Sequence, residues 1–284
     1  MKLYIRFLPL IAFIIMLNQS LHAMGELRGG GLMVAPTRLV FEGKNRTAEL
    51  TLTNNGNETS TYRIQTLNSL MDEFGKRTSI ISPADDNESF ADKYVRFAPR
   101  QIRLKPGEQQ TVRVMLRLPN NISDGEYRTG LNFQWIPEPG EPDIRKGQVE
   151  RGEVAVQIQF SYGITVPVII RKGNLEASGK IVETVINKTE KGRQLLVKIA
   201  RTGNRSLYGD FSVFHIDTDG KENLVSTMGG VAIYVPNPHR IFSVDLPEDL
   251  PFGKGNGKTM LRVEYRQRKE VGKKLIAETV IPAE

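Results

Sequence analysis

From Glu153 to Arg171 the chain reads EVAVQIQFSYGITVPVIIR. Every even position is apolar or aromatic: Val154, Val156, Ile158, Phe160, Tyr162, Ile164, Val166, Val168 and Ile170. The odd positions open with Ala155, Gln157, Gln159 and Ser161. A period of two is the periodicity of a β-strand. At about 3.3 Å per residue the run would span roughly 55 Å, against roughly 17–20 Å for an ordinary strand. One sheet does not easily use that length, so part of the apolar face is expected to be offered beyond its own sheet. The alternative is a long sandwich strand with a kink. Gly163 and Pro167 are the expected places for a bend or bulge, because Gly weakens a ladder and Pro cannot donate to it.

The remainder of the chain is a series of short alternating runs separated by turn residues. Met33 to Phe41 reads as a first strand, with Pro36 placing it at an edge. Ala48, Leu50 and Leu52 share one face of a second strand that turns at Asn54-Asn55-Gly56-Asn57, and Tyr62 and Ile64 mark a third. Met71 to Ala91 is polar and reads as a loop. Extended structure resumes at Tyr94-Val95-Arg96-Phe97. Lys105-Pro106-Gly107-Glu108 is a turn with Pro and Gly at its central positions. Val112, Val114, Leu116 and Leu118 alternate after it, and Gly125 to Ile136 supplies another strand before the long one.

After Arg171-Lys172-Gly173-Asn174 a second set of runs follows: Ile181–Ile186, Leu195–Ile199, Phe211–Ile216, Ile241–Leu246, Leu261–Tyr265 and Leu275–Ile281. No convincing helix interrupts either set. The expected fold is all-β, two tandem β-sandwiches over residues 24–171 and 172–284.

Composition narrows the class of protein. Lys2 and Arg6 followed by the apolar run Phe7 to Leu17 and by Leu21-His22-Ala23 read as an export signal over residues 1–23. About 260 residues then remain, enough for two cores. The chain has no cysteine, so an exported product relies on packing without disulfides. The formal charge of +7 loses the two signal cations, and the other Lys and Arg alternate with Glu, Thr and Gln along strands. That is the pattern of solvated faces, and no nucleic-acid partner is expected.

Candidate catalytic chemistry is absent. Gly253 to Thr259 has the look of a phosphate loop, but Phe252 stands where its first Gly must be and no strand and crossover helix frame it. His215 and His239 have no companion at metal-ligand spacing, so no metal site is expected. There is no GxSxG elbow, and Asp85-Asp86 and Glu248-Asp249 sit among loop residues. An enzyme, a cofactor and a small-molecule substrate are therefore not expected. Trp135 reads as a packed strand residue.

Four stretches together resemble the periplasmic pilus (fimbrial) chaperones of the chaperone/usher pathway, the PapD-like family. They are Pro36-Thr37-Arg38-Leu39-Val40-Phe41, Phe97-Ala98-Pro99 with Leu104 to Val114, Gly125 to Phe133, and the alternating strand itself. The resemblance covers nearly all of the first domain. It implies two immunoglobulin-like domains in an L-shaped arrangement, pilin or fimbrial subunits and an outer-membrane usher as partners, and a periplasmic location. It implies that Val154, Val156, Ile158, Phe160 and Tyr162 are the donor row lent to a subunit, and that Arg38 anchors the subunit's terminal carboxylate. The lysine that the family adds to this anchor falls on Pro167, so either Arg171 or Lys172 takes its place or the anchor differs in a divergent branch. The unpaired apolar row also leads us to expect a self-capping homodimer, or closure by the segment Gly29 to Val34, when no subunit is bound. The competing reading is a structural or adhesive tandem module whose long strand only joins two domains.

Overall fold

The computed structural model describes residues 31–80, 89–137, 162–190, 192–248, 250, 259–268 and 272–283. The expected signal over 1–23, the phosphate-loop look-alike up to residue 258, and Val154, Val156, Ile158 and Phe160 lie outside these residues.

Among the described residues seventeen strands form four sheets, as expected for an all-β tandem of sandwiches. In the first domain, β1 (Leu32–Ala35), β3 (Thr47–Asn54), β8 (Gln109–Leu116) and β6 (Val95–Ala98) make one sheet in the order β1-β3-β8-β6. The facing sheet has the order β2-β10-β9-β4-β5, from β2 (Leu39–Phe41), β10 (Gly163–Lys172), β9 (Gly125–Ile136), β4 (Ser60–Met71) and β5 (Arg77–Ile80); β7 (Gln101–Leu104) also pairs with β4. The alternation read from the sequence drives the two inner faces together. Leu50, Leu52, Val112 and Val114 of one sheet and Tyr62, Ile64, Leu131, Phe133, Val166 and Val168 of the other form a single buried cluster. Each large side chain so buried contributes about 1.5–3 kcal/mol.

The turn chemistry is equally local. Asn54 donates from Nδ2 to the carbonyls of Glu58 (2.7 Å) and Leu104 (3.0 Å) and accepts the Gly56 N–H (3.0 Å), which closes the turn after β3. Gly107 takes a φ of 74° at the position where the Pro-Gly turn requires it.

In the second domain, β11 (Ala177–Thr189), β12 (Gly192–Gly203) and β15 (His239–Leu246) pack against β14 (Glu222–Ile233), β13 (Leu207–Ile216), β16 (Met260–Gln267) and β17 (Leu275–Pro282). Along β13 every second residue is buried, and Phe211 and Val213 meet Leu195, Val197, Phe242 and Val263 in the core. Strand β14 has no clear alternation. Its ladder to β13 shifts register twice and it contains Gly229 and Gly230, the latter at φ 66°.

Several expectations are corrected. The single strand over Met33–Phe41 is two strands, β1 and β2, which belong to opposite sheets; Pro36-Thr37-Arg38 carries the chain between them. The loop over Met71–Ala91 contains β5. Asp72 accepts N–H bonds from Phe74 (3.0 Å) and Lys76 (2.8 Å) and folds a tight turn that lays Arg77–Ile80 back on Asn68–Met71. A short 3-10 turn, Asp92–Tyr94, precedes β6. Strand β10 also passes through Pro167 with no bulge, in unbroken register with β9 from Gly163↔Gln134 to Lys172↔Gly125. The segment Leu32–Val34, part of the stretch considered for self-capping, is engaged with β3.

The two domains meet over Met71 and Ile169 of the first and Ala232 and Tyr234 of the second, all buried. Polar bonds surround this small apolar contact. Asn237 Nδ2 donates to the Met71 carbonyl (2.7 Å), the Ile241 N–H donates to the Glu73 carbonyl (2.7 Å), and Ser206 gives both its N–H and its hydroxyl to Glu126.

Candidate functional site

Strand β10 uses its two sides unequally. On one side β9 pairs with it throughout, while on the other the short parallel strand β2 covers only Val168, Ile169 and Ile170. From Gly163 to Pro167 that second side has no ladder partner among the described residues. A proline is tolerated where there is no second ladder to lose.

The apolar parity also divides. Val166, Val168 and Ile170 are at most 2% exposed and belong to the domain core, whereas Ile164 is 37% exposed. The core therefore uses the row from 166 onward and leaves off near 164. Tyr162, the one member of the expected donor row among the described residues, stacks on Trp135 at 5.4 Å and packs against the margin of the core. Its carbonyl accepts the Trp135 N–H at 3.0 Å.

Arg38 stands just before β2, at the point where the open side of β10 closes. Its guanidinium lies over the ring of Tyr208 (4.2 Å), and Nη1 donates to the Tyr234 hydroxyl at 3.0 Å. Its Nη2 is buried with no hydrogen-bond partner among the described residues. A buried donor of this kind costs free energy until an acceptor reaches it.

The two candidate companions of Arg38 are placed differently. Arg171 lines the same cleft, a cavity of about 550 Å³ bounded also by Pro36, Val40, Arg205, Leu207 and Arg268. Its guanidinium, however, is engaged by Glu126 (Nε to Oε2, 3.0 Å) and by Glu42 (Nη1 to Oε2, 3.2 Å). Lys172 points elsewhere, to the Ile122 carbonyl and to Asp124 at 3.9 Å.

Residues that no sequence spacing links gather instead around Tyr234. Arg77 Nη2 donates to its hydroxyl (3.3 Å) and the Arg128 guanidinium lies over its ring (4.4 Å). Arg77 belongs to β5, within the stretch whose polarity predicts a loop, and Tyr234 follows β14, which shows no clear alternation. Burial pushes Arg128 below the usual arginine range, and the neighbouring positive charges of Arg77 and Arg38 act in the same direction.

Fold and site together define a two-domain immunoglobulin-like protein in which the side of β10 left unpaired among the described residues ends at a cluster of arginines. A family profile described as an Fn3-like domain matches residues 40–169. No curated protein sequence matches the chain. Among solved structures, the chain is similar to the CupB2 chaperone of Pseudomonas aeruginosa, with 15% identity, 88% of this chain and 98% of that chain covered, and a TM-score of 0.43. It is similar to the Escherichia coli chaperone DraB, with 16% identity, coverage of 89% and 96%, and a TM-score of 0.38. It is also similar to a chain of the CsuC-CsuE chaperone-tip adhesion subunit pre-assembly complex from the archaic chaperone-usher Csu pili of Acinetobacter baumannii, with 11% identity, coverage of 88% and 97%, and a TM-score of 0.44.

Proposed function

We propose that this protein is a non-enzymatic periplasmic chaperone of pilus or fimbrial assembly. It captures a subunit by pairing it with the open side of β10, and it hands that subunit to an outer-membrane usher. The observation that carries this reading is the lane beside β10 from Gly163 to Pro167, which stops head-on at Arg38.

The lane has a polarity. Strand β2 runs parallel to β10 and fills the far end of the same side. A strand added upstream in parallel would lie in line with β2 and bring its C-terminal carboxylate to Arg38. The opposite direction would bring a terminal ammonium to a guanidinium, and like charges in a partly desolvated cleft repel. A carboxylate also supplies the acceptor that Arg38 Nη2 lacks. Main-chain bonds along the lane supply affinity and alternate side-chain pockets supply specificity. Val154, Val156, Ile158 and Phe160, in the same parity as Tyr162, extend the lane upstream under this reading.

The test is co-purification from the periplasm, identification of the partner, and amide hydrogen exchange of free and loaded protein. Slowed exchange over residues 154–167 with a β-rich partner is the expected result. A partner that slows only surfaces of the second domain, or a protein that carries no partner, would leave a structural tandem module in its place.

A further inference from the structure

Among the described residues three guanidiniums share Tyr234 without a carboxylate between them. Arg38 and Arg77 both donate to the phenol oxygen, at 3.0 and 3.3 Å, and Arg128 covers the ring at 4.4 Å. A hydroxyl accepts such bonds but contributes no full negative charge. Among the described residues no Asp or Glu lies within 4.0 Å of any of the three guanidiniums. Glu126 attracts Arg128 from a distance, but its oxygens are bonded to Arg171 and Ser206. Beside the cluster lies a void of about 20 Å³ lined by Ser69, Arg77, Arg128, Thr165, Pro167 and Tyr234. That is room for one water or one anionic oxygen. It abuts Pro167, at the closed end of the lane.

We infer that Arg38, Arg77 and Arg128 form one carboxylate-binding site over the ring of Tyr234, in which Arg77 and Arg128 supply the positive contacts for which Arg171 and Lys172 stood as candidates. The identity of the carboxylate as a subunit terminus rests on the proposed function, but the site does not. Arg38, Arg77 and Arg128 belong to the first domain and Tyr234 to the second. An anion that relieves the repulsion among the arginines therefore also strengthens the joint between the domains.

The test has two arms on the full mature protein. In the first, acetate is titrated at constant ionic strength while the arginine Nε–H signals are followed by NMR. The expected result is a saturable shift of the Arg38, Arg77 and Arg128 signals. It weakens at least tenfold in Arg77→Gln, an exposed residue whose replacement leaves the fold intact, and is unchanged in Lys172→Gln. A shift that does not saturate, or one that survives in Arg77→Gln, overturns the inference.

The second arm compares capture of a partner with a free and an amidated C-terminus. Arg77→Gln should lose most of the preference for the free carboxylate. If Arg77→Gln keeps that preference and Arg171→Gln loses it, the inference falls while the chaperone reading stands. If acetate binds as expected and no partner is captured, the chaperone reading falls alone.

Discussion

Arg171 gives its Nε to Oε2 of Glu126 at 3.0 Å, with both side chains almost wholly buried, at 8% and 2% exposure. The same carboxylate accepts two bonds from Ser206 of the second domain, whose hydroxyl in turn accepts the Val235 N–H at 2.9 Å. Glu126 is thus a joint between the domains, and it is also the reason that Arg171 is not available to an incoming anion. Glu126→Gln keeps the size but removes the charge, and among the described residues it leaves Arg171 compensated only by the exposed Glu42. A loss of about 1–3 kcal/mol is expected for a buried hydrogen-bonded group deprived of its charged partner. Trp135, the single tryptophan, reports the first domain in a denaturant titration. A loss under about 0.5 kcal/mol, the range of ordinary surface changes, would show that the joint contributes nothing.

A second expectation compares residues of the same parity on either side of Tyr162. Ile158→Glu or Phe160→Glu should abolish subunit capture and leave the free protein folded. Val168→Glu places a charge in a fully buried core position and should unfold the first domain, since an unpaired buried charge is far costlier than a cavity. Circular dichroism of the free variants together with partner pull-down decides it. If Ile158→Glu unfolds the free protein as Val168→Glu does, the row is core along its whole length and no part of it is lent.

The fold was legible where one side chain in two is buried on a strand covered on one face, as along β8 and β13. It was not legible where other forces set the strand. Strand β5 has no buried residue and exists because Asp72 and the Met71 register fold it back on β4. The break between β1 and β2 is invisible to periodicity because both pieces have residues facing the same core, one from each sheet. Arg38 could be named from its surrounding motif. Arg77 and Arg128 could not, because the two strands that carry them come together only through sheet pairing, and Tyr234 reaches them only through domain docking.

Acid should loosen the outer sheet of the second domain. Arg262 bonds Glu222 (2.7 Å), Glu264 (2.8 Å) and Glu278 (2.9 Å), and Arg266 bonds Glu264 (3.0 Å). Burial alone would raise the Glu264 carboxyl, but the bonds from Arg266 and Arg262 outweigh it and hold the group below its ordinary value. The Arg262 bond lowers Glu222 as well. Groups depressed on folding give stability that is complete above the ordinary glutamate range and is lost as pH falls through their folded values. Protection of the β16 amides, taken relative to their intrinsic exchange rate, should therefore fall below about pH 4.3, the ordinary Glu value, and this pH dependence should flatten in Arg262→Gln. An equal dependence in that variant would assign the effect to other carboxylates.

The last expectation concerns register. Sliding a paired strand by one residue turns its apolar row to the wrong face, and sliding by two moves each side chain to the neighbouring pocket. A fixed stop is therefore needed, and Arg38 stands at the end of the lane with an unused buried donor. A charge-assisted bond to a terminal carboxylate is worth about 1.5–3 kcal/mol, or roughly ten- to a hundredfold in affinity. Arg38→Ala should lose capture by that factor although it touches none of the apolar row. Arg38→Lys should recover only part, because an ammonium has no planar fork. Residues appended after the subunit's last carboxylate should reproduce Arg38→Ala in the wild-type chaperone. Arg38 also bonds Tyr234 across the domain joint, so Tyr234→Phe is the control: it removes that bond, keeps all three guanidiniums, and should retain most of the capture. If wild type and Arg38→Ala protect the subunit equally from periplasmic proteolysis, the stop is not a carboxylate on Arg38, and register is set by the side-chain pockets alone.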